Sequence, residues 1–320
     1  MALQSTHTDP TQAKLGFQGR GFDWDKYIQY RPVYTDRFYN HLYSYHASTG
    51  NNSFRTAHDV GAGPGIVAGT LARKFENVLV SEPNRDFLEV AESRLSSSSS
   101  SDGEGKFRFL AEGAESSSVD SESVDLLVIS EAIHWTDIPA SIKEFARQLK
   151  AGGTLCIVYY KVAQIINHEA AQKVWKGLFS DVMAELKKMD GERGKVYLRG
   201  VEAPITGLDD VAFPEEMWRS GVKRIFTNCQ GDRRNVAFSP GCEERPDQVG
   251  KEDERVFVEG NEDWMNRGVG LEWLQNVFVN FVPGKKIADD AGRWEEMARV
   301  LGEQKVDVAW PSIKILATRR

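Results

Sequence analysis

The sequence contains no apolar run approaching the ~18–20 consecutive residues that a membrane span requires, so an integral membrane protein is excluded. Its first twenty residues are polar and carry no apolar core of a leader peptide, so no secretory signal is expected and a cytoplasmic location is the default. Cysteine is scarce: Cys156, Cys229 and Cys242 are far apart and share no ligand spacing, which argues against a disulfide framework and against a structural zinc site. Positive charge is also short. Lys and Arg total 40 against 47 Asp and Glu, a net charge of −7, so the basic face of a general nucleic-acid binder is missing. Internal repeats are absent. What remains is ample: 320 residues, 41% hydrophobic, enough for one large domain with an insertion or for two domains.

Residues 1–21 read as a flexible tail, and residues 22–50 as an aromatic helical unit. Pro32 is suited to opening a helix, and Tyr34, Phe38, Leu42 and Tyr45 follow at helical spacing. Strand-like runs then alternate with helical ones. The strands end at Val60 or span Val78–Ser81, Phe107–Ala111, Val124–Ser130 and Thr154–Tyr160. Between them, a helix runs to about Glu76, another is opened by Pro83 with Phe87, Leu88, Ala91 and Leu95 inward, and a third, Ser141–Leu149, is stopped by Gly152-Gly153. This alternation predicts an α/β fold with a parallel sheet. The Ser96–Ser101 run with Asp102 and Gly103 reads as a solvated loop. After Tyr160 the rhythm turns helical: Val174–Met189, Pro214–Ile225 and Glu262–Val279 each read as helices, before a closing strand at Ile313–Thr318. The sheet domain is therefore expected from 51–162 and 301–320, with a mainly helical cap at 163–300 inserted after the fifth strand.

The chemistry concentrates in Asp59-Val60-Gly61-Ala62-Gly63-Pro64-Gly65. Glycines between a strand and a helix let the backbone turn tightly and approach a ligand with no Cβ in the way. The spacing departs from the phosphate-binding GxGxxG fingerprint, because the third glycine comes one residue early and Ile66 stands where it belongs. Asp59, at the end of the strand, repels pyrophosphate but receives an ammonium. Glu82 ends the second strand about 20 residues on, where a carboxylate accepts both ribose hydroxyls. A ribose-bearing ligand with a cationic tail and no phosphate satisfies all three features. S-adenosylmethionine (SAM) is such a ligand.

The pattern resembles the Rossmann-like, SAM-dependent methyltransferase superfamily, and within it the small-molecule branch that includes trans-aconitate methyltransferases. The resemblance rests on Tyr27-Ile28-Gln29-Tyr30-Arg31-Pro32-Val33-Tyr34, the loop Asp59–Gly65, Glu82-Pro83, Ala132-Ile133-His134-Trp135, and Leu149-Lys150-Ala151-Gly152-Gly153, in that order over about residues 22–160. It implies SAM as cofactor, with Asp59 near the methionine amino group and Gly61, Ala62 and Gly63 near the methionine backbone and sulfonium. Glu82 then holds the ribose hydroxyls, and Pro83 lies beside the adenine. Where the family often has an acid after the third strand, this chain reads Glu112-Gly113-Ala114-Glu115, which shifts adenine recognition to Ala114 and Glu115. Tyr30 and Arg31 are expected to close over the cofactor, Arg31 meeting its carboxylate, and Ser130 and Trp135 to complete the cofactor wall.

His134 and Glu131 are the candidate catalytic residues. A weakly acidic acceptor such as an alcohol, phenol or amine needs a base and a carboxylate does not; His134 is either that base or a shaping residue of the pocket. Glu131 stands where the family has a neutral polar residue, and a carboxylate there disfavours a polyanionic acceptor. No oxygen-ligand set for a metal appears at useful spacing. Ser130–Trp135 also lacks the Asn/Asp-Pro-Pro-Tyr tetrapeptide of amide and base-amine methylation, which disfavours DNA and glutamine. Trp175, Trp218, Trp264, Trp273 and Phe278 are candidates for an apolar substrate wall, and 230–255 for a lid. The reading is a methyltransferase acting on a small molecule of secondary metabolism, at oxygen first, with neither nucleic acid nor membrane as partner. A cofactor-binding member that cyclises or eliminates, or a regulator of the same fold, stays open at this level.

Overall fold

A computed structural model describes residues 23–97, 105–237, 246–282 and 285–320. The tail at 1–21, most of the serine run, the centre of the expected lid and Cys242 lie outside these residues.

The chain opens with the short helix α1 (Trp24–Gln29) and α2 (Asp36–Thr49). Thr35, not Pro32, starts α2, its hydroxyl accepting the Phe38 N–H at 3.3 Å. Then follow β1 (Thr56–Val60), α3 (Ile66–Leu71), β2 (Asn77–Ser81), α4 (Arg85–Ser97), β3 (Phe107–Leu110), β4 (Val124–Ser130), α5 (Ile138–Gln148) and β5 (Leu149–Tyr160). Asn84 rather than Pro83 precedes α4, with its carbonyl taking the Leu88 N–H at 3.0 Å. Gly152-Gly153 do not stop a helix. α5 has already ended at Gln148, and the two glycines sit within β5 where its register against β4 shifts, Gly152 in the left-handed region at φ +74°.

The second half contains β6 (Gln164–Ile165), α6 (Glu169–Leu186), α7 (Gly191–Glu202), β7 (Lys223–Thr227), β8 (Glu254–Val258), β9 (Met265–Val269), α8 (Leu271–Phe281), α9 (Ala291–Leu301), β10 (Val306–Ala309) and β11 (Ser312–Thr318). Two helical expectations are corrected here. Pro214–Ile225 is a turn running into β7, and Glu262–Val279 begins as a 3-10 turn and β9 before α8. In both, apolar residues that fall at helical spacing are satisfied by strand pairing with distant segments, which local periodicity does not register.

The main sheet has the order β3-β2-β1-β4-β5-β11-β7-β8. Neighbours from β3 to β5 are parallel; β11 runs antiparallel between β5 and β7. A small sheet, β6-β10-β9, lies apart. The order reverses between β1 and β4, the place where open α/β sheets leave a crevice at the carboxyl ends of their strands. β4 is buried along Val124–Ile129, as a strand covered on both faces requires. Helices α2, α3 and α6 contribute to one core layer, and α5 with β11 to the other. Among the described residues no helix is long and apolar enough to cross a membrane.

Candidate functional site

The glycine loop leaves β1 at the crevice. Gly61 and Gly63 hold φ of +63° and +52°, and Gly65 at +76° forms the left-handed entry to α3. The loop is held from both sides: the Ala62 N–H donates to Ser81 O at 3.0 Å, and the Gly63 N–H to Glu82 Oε2 at 3.0 Å. The other Glu82 oxygen, Oε1, accepts the Asn84 N–H at 2.9 Å. Asp59, 1% exposed, accepts the Ala68 N–H through Oδ2 at 2.8 Å. Burial pushes both carboxyls up to about 7, in Asp59 with the nearby Glu82 charge adding to it. Among the described residues neither buried acid forms an ion pair, so together they suit a ligand that brings positive charge and hydroxyls.

A cavity of about 210 Å³ opens over this loop, bounded by Asp59, Gly61, Gly63, Glu82, Pro83 and Ala114 among others. A Cβ built on Gly61 would lie 2.5 Å from the Ala132 Cβ, whereas one built on Gly63 meets nothing within 4 Å. The first glycine is needed for protein packing and the second keeps open space over the cradle. This donor set fits SAM: carboxylates for an ammonium and for hydroxyls, with bare backbone in between.

A second cavity, also of about 210 Å³, adjoins the first and shares Tyr27, Arg31, Glu131, Trp135 and Tyr160 with it. Its outer wall is apolar: Phe179, Val182, Met183 and Leu186 from α6, and Phe281 from α8. Polar groups gather at the junction. Arg31 is 9% exposed, with its guanidinium 3.8 Å from the Phe281 ring centroid and 4.7 Å from that of Tyr27. Its Nη2 donates to Asn280 O at 2.9 Å, while Nε is buried without a partner.

Glu131 follows β4 with φ +55°, a backbone state uncommon for a residue with a side chain. Its N–H donates to Val158 O at 2.9 Å and its Oε1 accepts the Tyr160 N–H at 2.6 Å, leaving Oε2 for the cavities the residue lines. Burial pushes this carboxyl up to about 8 in spite of Arg31. Of these two cavities, His134 lines the second and not the first. It is 6% exposed, its Nδ1 lacks a partner, and burial, with Arg31 nearby, brings its imidazolium down to about 3.

Trp135 forms the hinge of the two cavities, and α7 holds it there. Arg199 Nη2 donates to Trp135 O at 3.0 Å, Tyr197 meets the indole edge-on at 6.1 Å, and the indole lies so close to Gly200 that a Cβ there would stand 2.1 Å from Cζ3.

Of the residues singled out from sequence, Arg31, Asp59, Gly61, Ala62, Gly63, Glu82, Pro83, Ala114, Ser130, Glu131 and Trp135 all border the first cavity. Tyr30 and Glu115 do not. Tyr30 turns toward Trp273, 6.4 Å away, and Glu115 accepts the Asp137 N–H at 2.9 Å. Tyr27 occupies the place expected of Tyr30. Tyr27 lies within the six-residue α1 and Tyr30 just after it, and only the tertiary contacts decide which tyrosine turns inward. Tyr34, whose hydroxyl is hydrogen-bonded to that of Ser130, lines the first cavity although the sequence marks it only as part of the N-terminal motif, and Tyr160 and Arg199 line it with no sequence signal of their own. None of the expected aromatic wall borders these two cavities: Trp175, Trp218, Trp264 and Phe278 are buried, and Trp273 packs on Trp310.

The fold and this cradle together define a SAM-dependent methyltransferase. Residues 58–157 match the family described as a methyltransferase domain. Methyltransferase AacuQ of Aspergillus aculeatus is 31% identical, aligned over 96% of this chain and 96% of its own length. Methyltransferase cfoB of Aspergillus candidus is 30% identical over 92% and 94%. A putative type II methyltransferase from Anaeromyxobacter dehalogenans shares the fold, with a TM-score of 0.50 and 15% identity over 89% of this chain and 97% of that one. The chain belongs to the methyltransferase family of these fungal relatives, and its cofactor is S-adenosylmethionine.

Proposed function

We propose that this methyltransferase methylates a hydroxyl oxygen on a small, apolar-bodied molecule of specialised metabolism, with Glu131 as the proton acceptor. The observation that carries the reading is that Glu131 lines both the cavity over the cofactor cradle and the adjoining apolar chamber. When bound, SAM supplies an electrophilic methyl group on a sulfonium. Asp59 with Gly61, Ala62 and Gly63 would hold its amino-acid end, Arg31 its carboxylate, Glu82 the ribose hydroxyls, and Pro83 and Ala114 the adenine.

The rest is the work of the chain's own side chains. The chamber of α6 and α8 desolvates and orients the acceptor, so alignment supplies much of the rate. Tyr27, Trp135 and Tyr160 line both cavities, and aromatic rings there would favour a bound sulfonium. Glu131 Oε2 takes the proton of the acceptor hydroxyl. A carboxyl raised to about 8 is a far better match to a phenolic or alcoholic proton than an ordinary carboxylate. His134, down at about 3, stays neutral and is too weak for that task, so its role is to shape the chamber.

The test is a set of apolar phenols, alcohols and carboxylic acids incubated with SAM and followed by mass spectrometry, with Glu131→Gln beside wild type. The reading expects methyl ethers from the hydroxyl compounds and a loss of kcat of about 10²-fold in the variant. Exclusive methylation of carboxylates, at a rate unaffected by Glu131→Gln, overturns it.

A further inference from the structure

A third cavity, of about 270 Å³, lies between α2 and the strands β7 and β11, outside both chambers described above. Its floor is set by strand register. Ser312 and Lys314 stand two apart on β11, and on β7 Thr227 lies directly opposite Ser312 and Ile225 opposite Lys314. Period-two alternation puts all four on the face turned toward α2, and all four line the cavity. Phe38 and His41 of α2 and Trp264 wall it.

Lys314 is the unusual member. Its Nζ donates to His41 Nδ1 at 2.9 Å and lies 4.7 Å from the Phe38 ring centroid. Among the described residues no carboxylate forms an ion pair with it, and burial lowers its pKa from the ordinary lysine value. Asp263 lines the same cavity but faces Arg37 at 3.9 Å, and Lys223, which with Lys314 adds to the burial that lowers the His41 pKa, is paired with Glu254 at 3.2 Å. A half-buried ammonium gains from a counter-charge, because part of its hydration is lost without one. Here an ammonium and two hydroxyl-bearing residues share a cavity whose other walls are Phe38, Ile225 and Trp264.

We propose that this cavity is a binding site for a small carboxylate with an apolar body. The carboxylate is received by Lys314 with Ser312 and Thr227, and the body lies against Phe38, Ile225 and Trp264. The site is separated from the cofactor by one aromatic layer: Trp264 is 5.9 Å from both Tyr34 and Tyr160, and Phe38 is 5.0 Å from Tyr34. It stands independently of the acceptor chemistry proposed above, and its failure would leave that reading untouched.

The test uses the full chain saturated with S-adenosylhomocysteine, titrated calorimetrically with benzoate and separately with inorganic phosphate. Saturable benzoate binding is expected, at least tenfold tighter than phosphate. Lys314→Met should weaken benzoate tenfold or more and leave S-adenosylhomocysteine affinity within twofold. A second variant, Ser312→Ala with Thr227→Val, keeps the ammonium and should weaken benzoate about threefold. Phosphate binding as tight as benzoate would mean that charge alone is recognised and would overturn the apolar part of the proposal. No saturable benzoate binding, or binding indifferent to Lys314→Met, would overturn it altogether.

Discussion

Gly61 and Gly63 allow the cofactor cradle to be tested with one chemical change made twice. Both residues hold a left-handed backbone, so replacing either by alanine costs about 1 kcal/mol in conformational strain. The surroundings differ. The new methyl at position 61 would sit 2.5 Å from the Ala132 Cβ, while the one at position 63 meets no protein atom within 4 Å. Carbon atoms prefer about 3.5–4.0 Å, so Gly61→Ala carries a further ~1–3 kcal/mol of overpacking. For a chain of this size each kcal/mol lowers Tm by about 2 °C. Gly63→Ala should therefore melt only about 2 °C below wild type, and Gly61→Ala about 4–8 °C below. Binding should reverse in emphasis: the methyl at 63 occupies cradle space, and SAM affinity should fall at least tenfold, or about 1.4 kcal/mol, in a protein that is otherwise nearly intact. Differential scanning calorimetry and isothermal titration with SAM and S-adenosylhomocysteine read the two quantities separately. SAM affinity within twofold of wild type in Gly63→Ala would refute the placement of the cofactor over this loop.

Acid titration at the cradle gives a second prediction. In the unfolded chain carboxyls titrate near 4, but burial holds Asp59 and Glu82 at about 7 in the folded protein without cofactor. The folded state therefore binds extra protons between about pH 4 and 7. That contribution to stability is full below pH 4 and is lost as pH rises through 7. A ligand ammonium favours the ionised acid, so SAM should bind more tightly at pH 8 than at pH 6 and release protons on binding. Calorimetry at pH 6.5 in buffers of different ionisation enthalpy checks this, and proton uptake on binding would contradict it. At α7, Gly200→Ala puts a Cβ 2.1 Å from the Trp135 ring and should displace the indole; steady-state kinetics should show kcat/KM down by about tenfold or more. Asp209 is buried between Arg224, Arg233 and Arg255, at 3.8, 3.0 and 2.8 Å. Asp209→Asn leaves those guanidinium groups without their shared anion and should cost about 3–5 kcal/mol in a denaturant titration.

The local features of this enzyme were legible from residues alone. Glycine spacing, an acid at the end of β1 and another at the end of β2 specify the ligand's charge pattern without any tertiary knowledge, because backbone freedom and side-chain charge are local properties. The apolar runs of β2, β4 and β5 likewise announce a buried parallel sheet. Tertiary structure decided what depends on distant partners. β7 and β8 extend the sheet because β11 offers an edge to pair with, and a window over Pro214–Ile225 contains no trace of that edge. The helix α7 is hidden by Gly191, Gly194 and Gly200, poor helix formers, of which Gly200 is placed where the Trp135 indole needs room. Tyr27 and Tyr30 are equivalent as letters and differ only in their tertiary contacts, Tyr27 within α1 and Tyr30 just after it. Glu131 and His134 could be named from sequence, but not assigned opposite roles. Burial raises a carboxyl and lowers an imidazolium, and burial is a property of the whole fold.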